Sequence, residues 1–367
     1  MKKFIYFVIL VLFCLNLYIP VNANELPSCS GVVKEVQYED MDENELLQVK
    51  QVANIKILNG ENKGSVVEID NMLSGNPFYD INLKKGLKVI LHVEQDEMGN
   101  ISYSVEDIKR SNVLGALLFI FCALLLYIGK KNGIFSLVSI LLTCILIYYC
   151  LSPLILAGVN SIAATLLVCV ISTLITMYLV GGLNRKSTSA SIGCILSIVC
   201  AGFLSFLTVK FAHLTGFVNE NSAFLFSAHP KLNMINILIA SMLLAVLGAV
   251  MDVAMSIAST INEIYTVDNN KSIKELFISG MNVGRDIIGT MANTLILVYL
   301  GGALPLLLLL SDIDMGKFLN LNQVVTEMSS ALIGSCAVVI CVPITAIVSA
   351  NLIKSIHHKK EIDLSNM

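Results

Sequence analysis

Two segments of this 367-residue chain carry ionisable and amide side chains beside long apolar runs. In the first, Asp252, Ser256, Ser259 and Glu263 recur at i, i+4, i+7 and i+11, which places them on one face of a helix. In the second, Asn282, Asp286, Gly289 and Asn293 share a face, with Arg285 beside them. Carboxylates take up and release protons or cations, a guanidinium is a fixed counter-ion for them, and amides and hydroxyls line polar routes. The expected roles follow from those chemistries. Asp252 and Glu263 are the proton- or cation-responsive carboxylates, Arg285 and Asp286 an ion-pair gate, and Ser256, Ser259, Asn282 and Asn293 the polar lining. On adjacent antiparallel helices, Arg285 is expected to meet Asp252 or Glu263.

A plainer reading stands beside that one. Counted from Leu232, Asp252 is 20 residues into its run, so at ~1.5 Å per residue it falls near a membrane boundary. Arg285 and Asp286 precede the next uncharged run, and these groups then serve as interfacial residues with a structural ion pair. Two features favour the functional reading. Gly248, Ala249, Ala254, Ser256, Ala258 and Ser259 permit close helix approach. The stretch from Glu275 to Ser311 is too long for one straight crossing, and Gly280, Gly284, Gly289 and Gly301-Gly302-Ala303-Leu304-Pro305 are where it is expected to bend or break. Broken membrane helices expose backbone groups that hold ions or substrates.

The elements that must position these residues are membrane helices. Between Lys131 and Arg185 lie 53 consecutive residues without Asp, Glu, Lys or Arg. A crossing needs about 20 apolar residues for ~30 Å of hydrocarbon, so that run holds two. With the other uncharged runs, seven crossings are expected, near 112–129, 133–151, 161–181, 189–210, 233–256, 287–310 and 329–353. Residues 1–23 read as a secretory signal peptide: Lys2 and Lys3, an apolar core from Phe4 to Ile19, then Val21-Asn22-Ala23. An exported head and seven crossings put the C-terminus in the cytoplasm. The basic residues agree, with ten Lys and Arg on the connections and tail expected inside (Arg185, Lys271 and Lys354 among them) and three, Lys210, Lys231 and Lys317, on those expected outside.

Residues 24–110 carry 16 acidic and 9 basic side chains and read as five β segments, near 30–38, 45–58, 64–70, 87–95 and 101–109. Val and Ile fill the segments, and Asn59-Gly60, Ser74-Gly75-Asn76-Pro77 and Met98-Gly99-Asn100 separate them. A small closed barrel of the oligonucleotide/oligosaccharide-binding or SH3-like type is expected. The fold class is therefore a polytopic α-helical membrane protein with about seven crossings, preceded by a small exported all-β domain. The boundaries are 1–23 for the signal peptide, 24–110 for the head, 111–355 for the membrane body and 356–367 for a cytoplasmic tail. Ten cysteines, one of them in the head, suggest neither a disulfide framework nor a Cys-ligated zinc. The acidic head argues against nucleic acid. No hydrolase, metalloprotease, phosphate-loop or aspartyl-protease signature is present, so the expectation is a non-enzyme without a cofactor. The partners expected are the bilayer of a bacterial plasma membrane and either a small solute or an envelope protein.

The stretch Gly248-Ala249-Val250-Met251-Asp252-Val253-Ala254-Met255-Ser256-Ile257-Ala258-Ser259, followed by Gly284-Arg285-Asp286-Ile287-Ile288-Gly289-Thr290-Met291-Ala292-Asn293-Thr294-Leu295, resembles the YibE/F family of bacterial multi-spanning membrane proteins. Phe211-Ala212-His213-Leu214-Thr215-Gly216 and the β head extend the resemblance over nearly all of the chain after residue 23. It implies the membrane class and marks these two segments. It supplies no substrate and no reaction. A transporter or permease is the function expected, with a polar path between the fifth and sixth crossings. The competing expectation is a non-transporting scaffold or signalling protein whose head binds an envelope partner.

Overall fold

A computed structural model describes residues 29–40, 49–60, 62–95, 101–308 and 313–365; the expected signal peptide lies outside them. The chain divides into a unit of residues 19–124 and a helical unit from residue 125 onward, joined by residues 1–18.

The head forms five strands: β1 Cys29–Asp40, β2 Val49–Ile57, β3 Val66–Leu73, β4 Lys88–Gln95 and β5 Ile101–Ile108. All pairings are antiparallel, in the order β3-β2-β1-β4-β5. Three consecutive strands followed by a fourth that returns beside the first is a Greek key. The edge strands β3 and β5 approach one another, so the sheet nearly closes into a barrel. Alternation along β2 sends Ala53, Ile55 and Ile57 inward to meet Val33, Ile69, Leu83, Val89 and Leu91. Gly31 pairs with Ile57, and any β-carbon on it would collide with Ile55. One buried amide is fully used. Gln51 Oε1 accepts from Asn71 Nδ2 at 2.9 Å and from the Leu83 N–H at 3.0 Å, while its Nε2 donates to Asn82 Oδ1 at 3.0 Å.

The helices are α1 Ser111–Leu146, continued by a π turn Ile147–Leu151, then α2 Ser152–Leu156, α3 Ser161–Gly181, α4 Arg185–Phe211, α5 Glu220–Ala228, α6 Met234–Val267, α7 Ile273–Gly302, α8 Leu304–Leu308, α9 Met315–Phe318 and α10 Asn322–Ser365. Six segments among the described residues are long and apolar enough to cross a membrane. The first, Ser111–Leu156, has 46 residues, and as one rod it would run ~69 Å, over twice the hydrocarbon thickness. It is not one rod. Lys130 adopts φ 48° and ψ −125°, and Gly133 comes back against the Leu125 carbonyl, so closely that a β-carbon there would strike it. That reversal divides the segment into the two crossings expected from hydropathy, which makes about seven in all.

Asparagine caps start α3 and α4: Asn160 accepts from the Ile162 and Ala163 N–H groups, and Asn184 from that of Ser187. In the helical unit α6 is the central helix, packed by α3, α4, α7 and α10. Close contacts rest on small residues, as in other membrane bundles. Gly193 of α4 lies on Thr345 of α10, Gly280 of α7 on Ile261 of α6 and Ala346 of α10, and Gly284 on Val342. Arg185 donates to the Ile353 carbonyl at 3.2 Å and Lys354 to that of Lys271 at 2.7 Å. These bonds gather the start of α4, the α6–α7 turn and residue 353 of α10 at one end of the bundle. At the other end Asn322 donates to the Phe217 carbonyl at 2.7 Å, and Gly216 packs against the Met234 backbone.

Candidate functional site

The 3.6-residue period of α6 separates two unlike faces. Leu238, Met242, Val246, Val250, Val253, Ile257 and Ile261 are buried in the bundle core. The opposite face exposes Ser241, Ala245, Gly248, Asp252, Ser256 and Glu263, with Ser259 half-buried on the same line. On α7, Leu276, Gly280 and Gly284 are buried, and Met281, Ile287, Ile288, Met291 and Leu295 pack against the same core. Its outer face exposes Asn282, Arg285, Asp286, Gly289, Thr290, Asn293 and Thr294. Between Ile235 and Val267 on α6, and between Ile278 and Ile296 on α7, no large apolar side chain is exposed.

This arrangement inverts what lipid demands. The spans other than α7 have mean hydropathies of 2.3 to 2.5 and are 22 to 50% buried. The α7 span has the lowest mean hydropathy, 1.2, and only 6% of it is buried. Its polar outer face is also deep. At 1.5 Å per residue, Asn293 lies ~14 Å from the Gly302 end of α7, near mid-membrane, and Asp286 ~24 Å from it. Insertion scales place the penalty for a charge at a helix centre at about 2.5–3.5 kcal/mol. A surface of this composition is a poor match to acyl chains.

The sequence-level site residues are therefore brought to one side of the molecule, on adjacent helices, but not into the ion pair expected of them. Among the described residues, Arg285 forms no ion pair with Asp252 or Glu263; its guanidinium donates to Asn282 Oδ1 at 3.2 Å, one turn back on the same helix. The register explains why. Gly280 seats on Ile261, so residues equally far from that contact are level, which sets Arg285 beside Ser256 and Asp252 beside Gly289. Asp252 and Arg285 are offset by about one helical turn, ~6 Å.

A second expectation is also corrected. α7 does not break at Gly280, Gly284 or Gly289 and runs as one helix to Gly302, where Ala303 and the short α8 follow. Gly280 and Gly284 serve helix packing, so no unwound backbone lines this face. α6 and α7 are also longer than their apolar runs. Ser272 and Glu275 form a reciprocal cap that begins α7 fourteen residues before position 287, and α6 continues eleven residues past position 256.

Hydropathy reading passed over Thr290 and Thr294, which extend the α7 stripe by further steps of four from Asp286. Both hydroxyls bond to their own helix, Thr290 to the Ile287 carbonyl at 3.0 Å and Thr294 to that of Thr290 at 2.9 Å. It also passed over Glu327, whose carboxylate, with Tyr299, lines an otherwise apolar cavity of about 350 Å³ among Leu300, Leu307, Phe318 and Met328. Glu327 sits immediately before the last uncharged run and was counted with the preceding connection. His213 is a turn residue, with φ 51° between α4 and buried Leu214. No group of three potential metal ligands occurs among the described residues.

Two family matches bear on these elements. The YibE/F-like protein family matches residues 117–355, which includes every helix of the site, and the YibE/F family N-terminal domain matches residues 31–108, the β barrel. No curated protein and no solved structure matches the chain. The two matches meet end to end over the barrel and the helices whose geometry has just been described, and the chain belongs to the YibE/F-like protein family.

Proposed function

We propose that this integral membrane protein is a transporter whose polar route runs along the outer faces of α6 and α7. The observation that carries the reading is the inverted α7 span, least apolar and least buried, whose exposed face replaces lipid-compatible side chains with amides, hydroxyls and charges. Asp252 supplies an acid with no ion-pair partner among the described residues, able to exchange a proton or a cation. Asn293, Thr290, Thr294 and Ser256 supply polar lining toward mid-membrane. A carrier rather than an enzyme fits a face of this kind, since no nucleophile and base stand together on it. The basic side chains of Arg185, Lys271 and Lys354, gathered at the end of the bundle that holds the α6–α7 turn, support placing that end in the cytoplasm and the barrel outside.

Purified protein in sealed vesicles, offered a panel of inorganic ions and small amino acids across an imposed pH gradient, is the direct test. Uptake that Asp252→Asn and Asn293→Leu both abolish, with the variants still folded, is the expected result. Uptake indifferent to both substitutions rejects this route.

A second reading draws on the head. Phe78 and Tyr79, 74% and 67% exposed, pack edge to face at 4.8 Å on the connection between β3 and β4. An exposed aromatic pair of this kind suits docking of an envelope protein. Retention of full transport by a Phe78→Ser/Tyr79→Ser double variant would detach that surface from the transport function.

A further inference from the structure

A polar face open on one side is half of a route, because a path for a hydrophilic solute needs a second wall that excludes lipid. Among the described residues, nothing in this chain supplies that wall: Asp252, Ser256, Asn282, Arg285, Asp286 and Asn293 are all exposed. We infer that the wall is a second copy of the chain, joined through the α6–α7 face by a two-fold axis along the membrane normal.

Three features of the face fit a copy of itself. The first is charge. A two-fold axis along the normal preserves depth and sets α6 of one copy opposite α7 of the other, so each Arg285 arrives level with Ser256 and about one turn from Asp252 of the second copy. An arginine side chain spans that offset, and the pairing absent within one chain becomes available twice between two. Each face carries two acids at this depth, Asp252 and Asp286, against one Arg285, so one carboxylate per copy stays unpaired for a proton or a cation. The second feature is shape. Gly248 on α6 and Gly289 on α7 have open space where a β-carbon would point, and Ala245 and Ser256 are small, so two such faces can approach closely. The third is the absence of large apolar groups over the middle of both helices, which leaves lipid little to solvate. The inference rests on the route proposed above and adds that the route is incomplete in one copy.

The test is cysteine cross-linking of the full chain in native membranes. By register Gly248 and Asn293 are level, so the double variant Gly248→Cys/Asn293→Cys should give a disulfide-linked dimer under mild oxidation, well above the background from the native cysteines. Leu196→Cys and Phe203→Cys, on the outer face of α4, should not. Unaltered protein extracted in lipid nanodiscs should have the mass of a dimer, a measurement that does not depend on how the variants fold. A monomer mass together with no α6–α7 cross-link overturns the second copy. In that event, labelling of Asn293→Cys by a membrane-impermeant thiol reagent would leave the route standing, with water alone against it. An inert Asn293→Cys would remove the route as well. A heteromeric mass would assign the wall to a different protein and overturn the inference in that way.

Discussion

α4 and α6 pack side by side through the same core, and each turns inside out relative to the other. α4 buries Ser187, Ser191, Ser197 and Ser205 and exposes Ile192, Leu196, Val199, Phe203 and Phe206. Three of those serines bond to the carbonyl four residues earlier on their own helix, at 2.7 to 2.8 Å, so they are buried without an interhelical partner. α6 buries its leucines, valines and isoleucines and exposes Ser241, Gly248, Asp252 and Ser256, and α7 repeats the pattern. Both arrangements bury close-packed surface, so the core does not decide between them. The difference lies in what each outer face meets. α4 is built for hydrocarbon; α6 and α7 are built for water, a solute or protein.

The comparison breaks most visibly if a charge is moved between the two surfaces. Phe203→Asp puts a carboxylate on the α4 face and should cost about 2.5–3.5 kcal/mol at mid-depth, enough to remove most folded protein. Thr290→Asp, on the α7 face, should lose far less. Fluorescence size-exclusion profiles of tagged variants check both, and equal losses would mean the two faces meet the same medium.

Glycine substitutions sharpen the same contrast at the next level. Gly284→Leu drives a side chain into Val342 and should cost about 1–3 kcal/mol or more through overpacking, seen as a lower melting temperature in detergent. Gly289→Ala faces open space in one copy and should be neutral or stabilise by up to about 0.5–1 kcal/mol. A large loss at Gly289 in membranes but not in detergent-separated chains would mark a contact made only on assembly.

The head shows polar groups that are buried and satisfied. Gln51→Leu leaves the Asn71 amide and the Leu83 N–H without their acceptor and should destabilise the barrel by about 1–3 kcal/mol. Urea unfolding of residues 24–110 expressed alone measures it. The smallest effect is expected at Asp80, whose carboxyl is held below the usual range chiefly by the Ser74 N–H. A lowered acid contributes stability that is present above the unfolded pKa and is lost as pH falls through the folded one. Asp80→Asn should therefore flatten part of the barrel's stability loss below about pH 4 and change little at neutral pH.

Much of this was legible in the sequence because the signals are local. Alternating Val and Ile with turn residues place all five strands, and uncharged runs place the crossings, since both depend on residues near in the chain. The helical period showed that Asp252, Ser256 and Glu263 share a face. It could not show which way that face points, because direction depends on which opposite residues, Val253, Ile257 and Ile261, find partners on other helices. The Asp252–Arg285 pairing failed for a related reason: the seat of Gly280 on Ile261 sets the register of α6 against α7, and that seat is a packing outcome. Continuity of α7 through three glycines was hidden too, since a glycine weakens a helix by about 1 kcal/mol until a neighbour such as α10 packs against it.

The low mean hydropathy of α7 reaches back to how the protein is made. A segment entering the bilayer from the translocon is judged on its own apolarity as it emerges, and Arg285, Asp286 and Asn293 weigh against α7 at that moment. α6 precedes it with a mean hydropathy of 2.4, and α10 follows with 2.5. α7 is thus a helix that its neighbours carry into the membrane, and a nascent chain truncated before α10 would hold it there poorly, exposed on the cytoplasmic side to quality-control proteases.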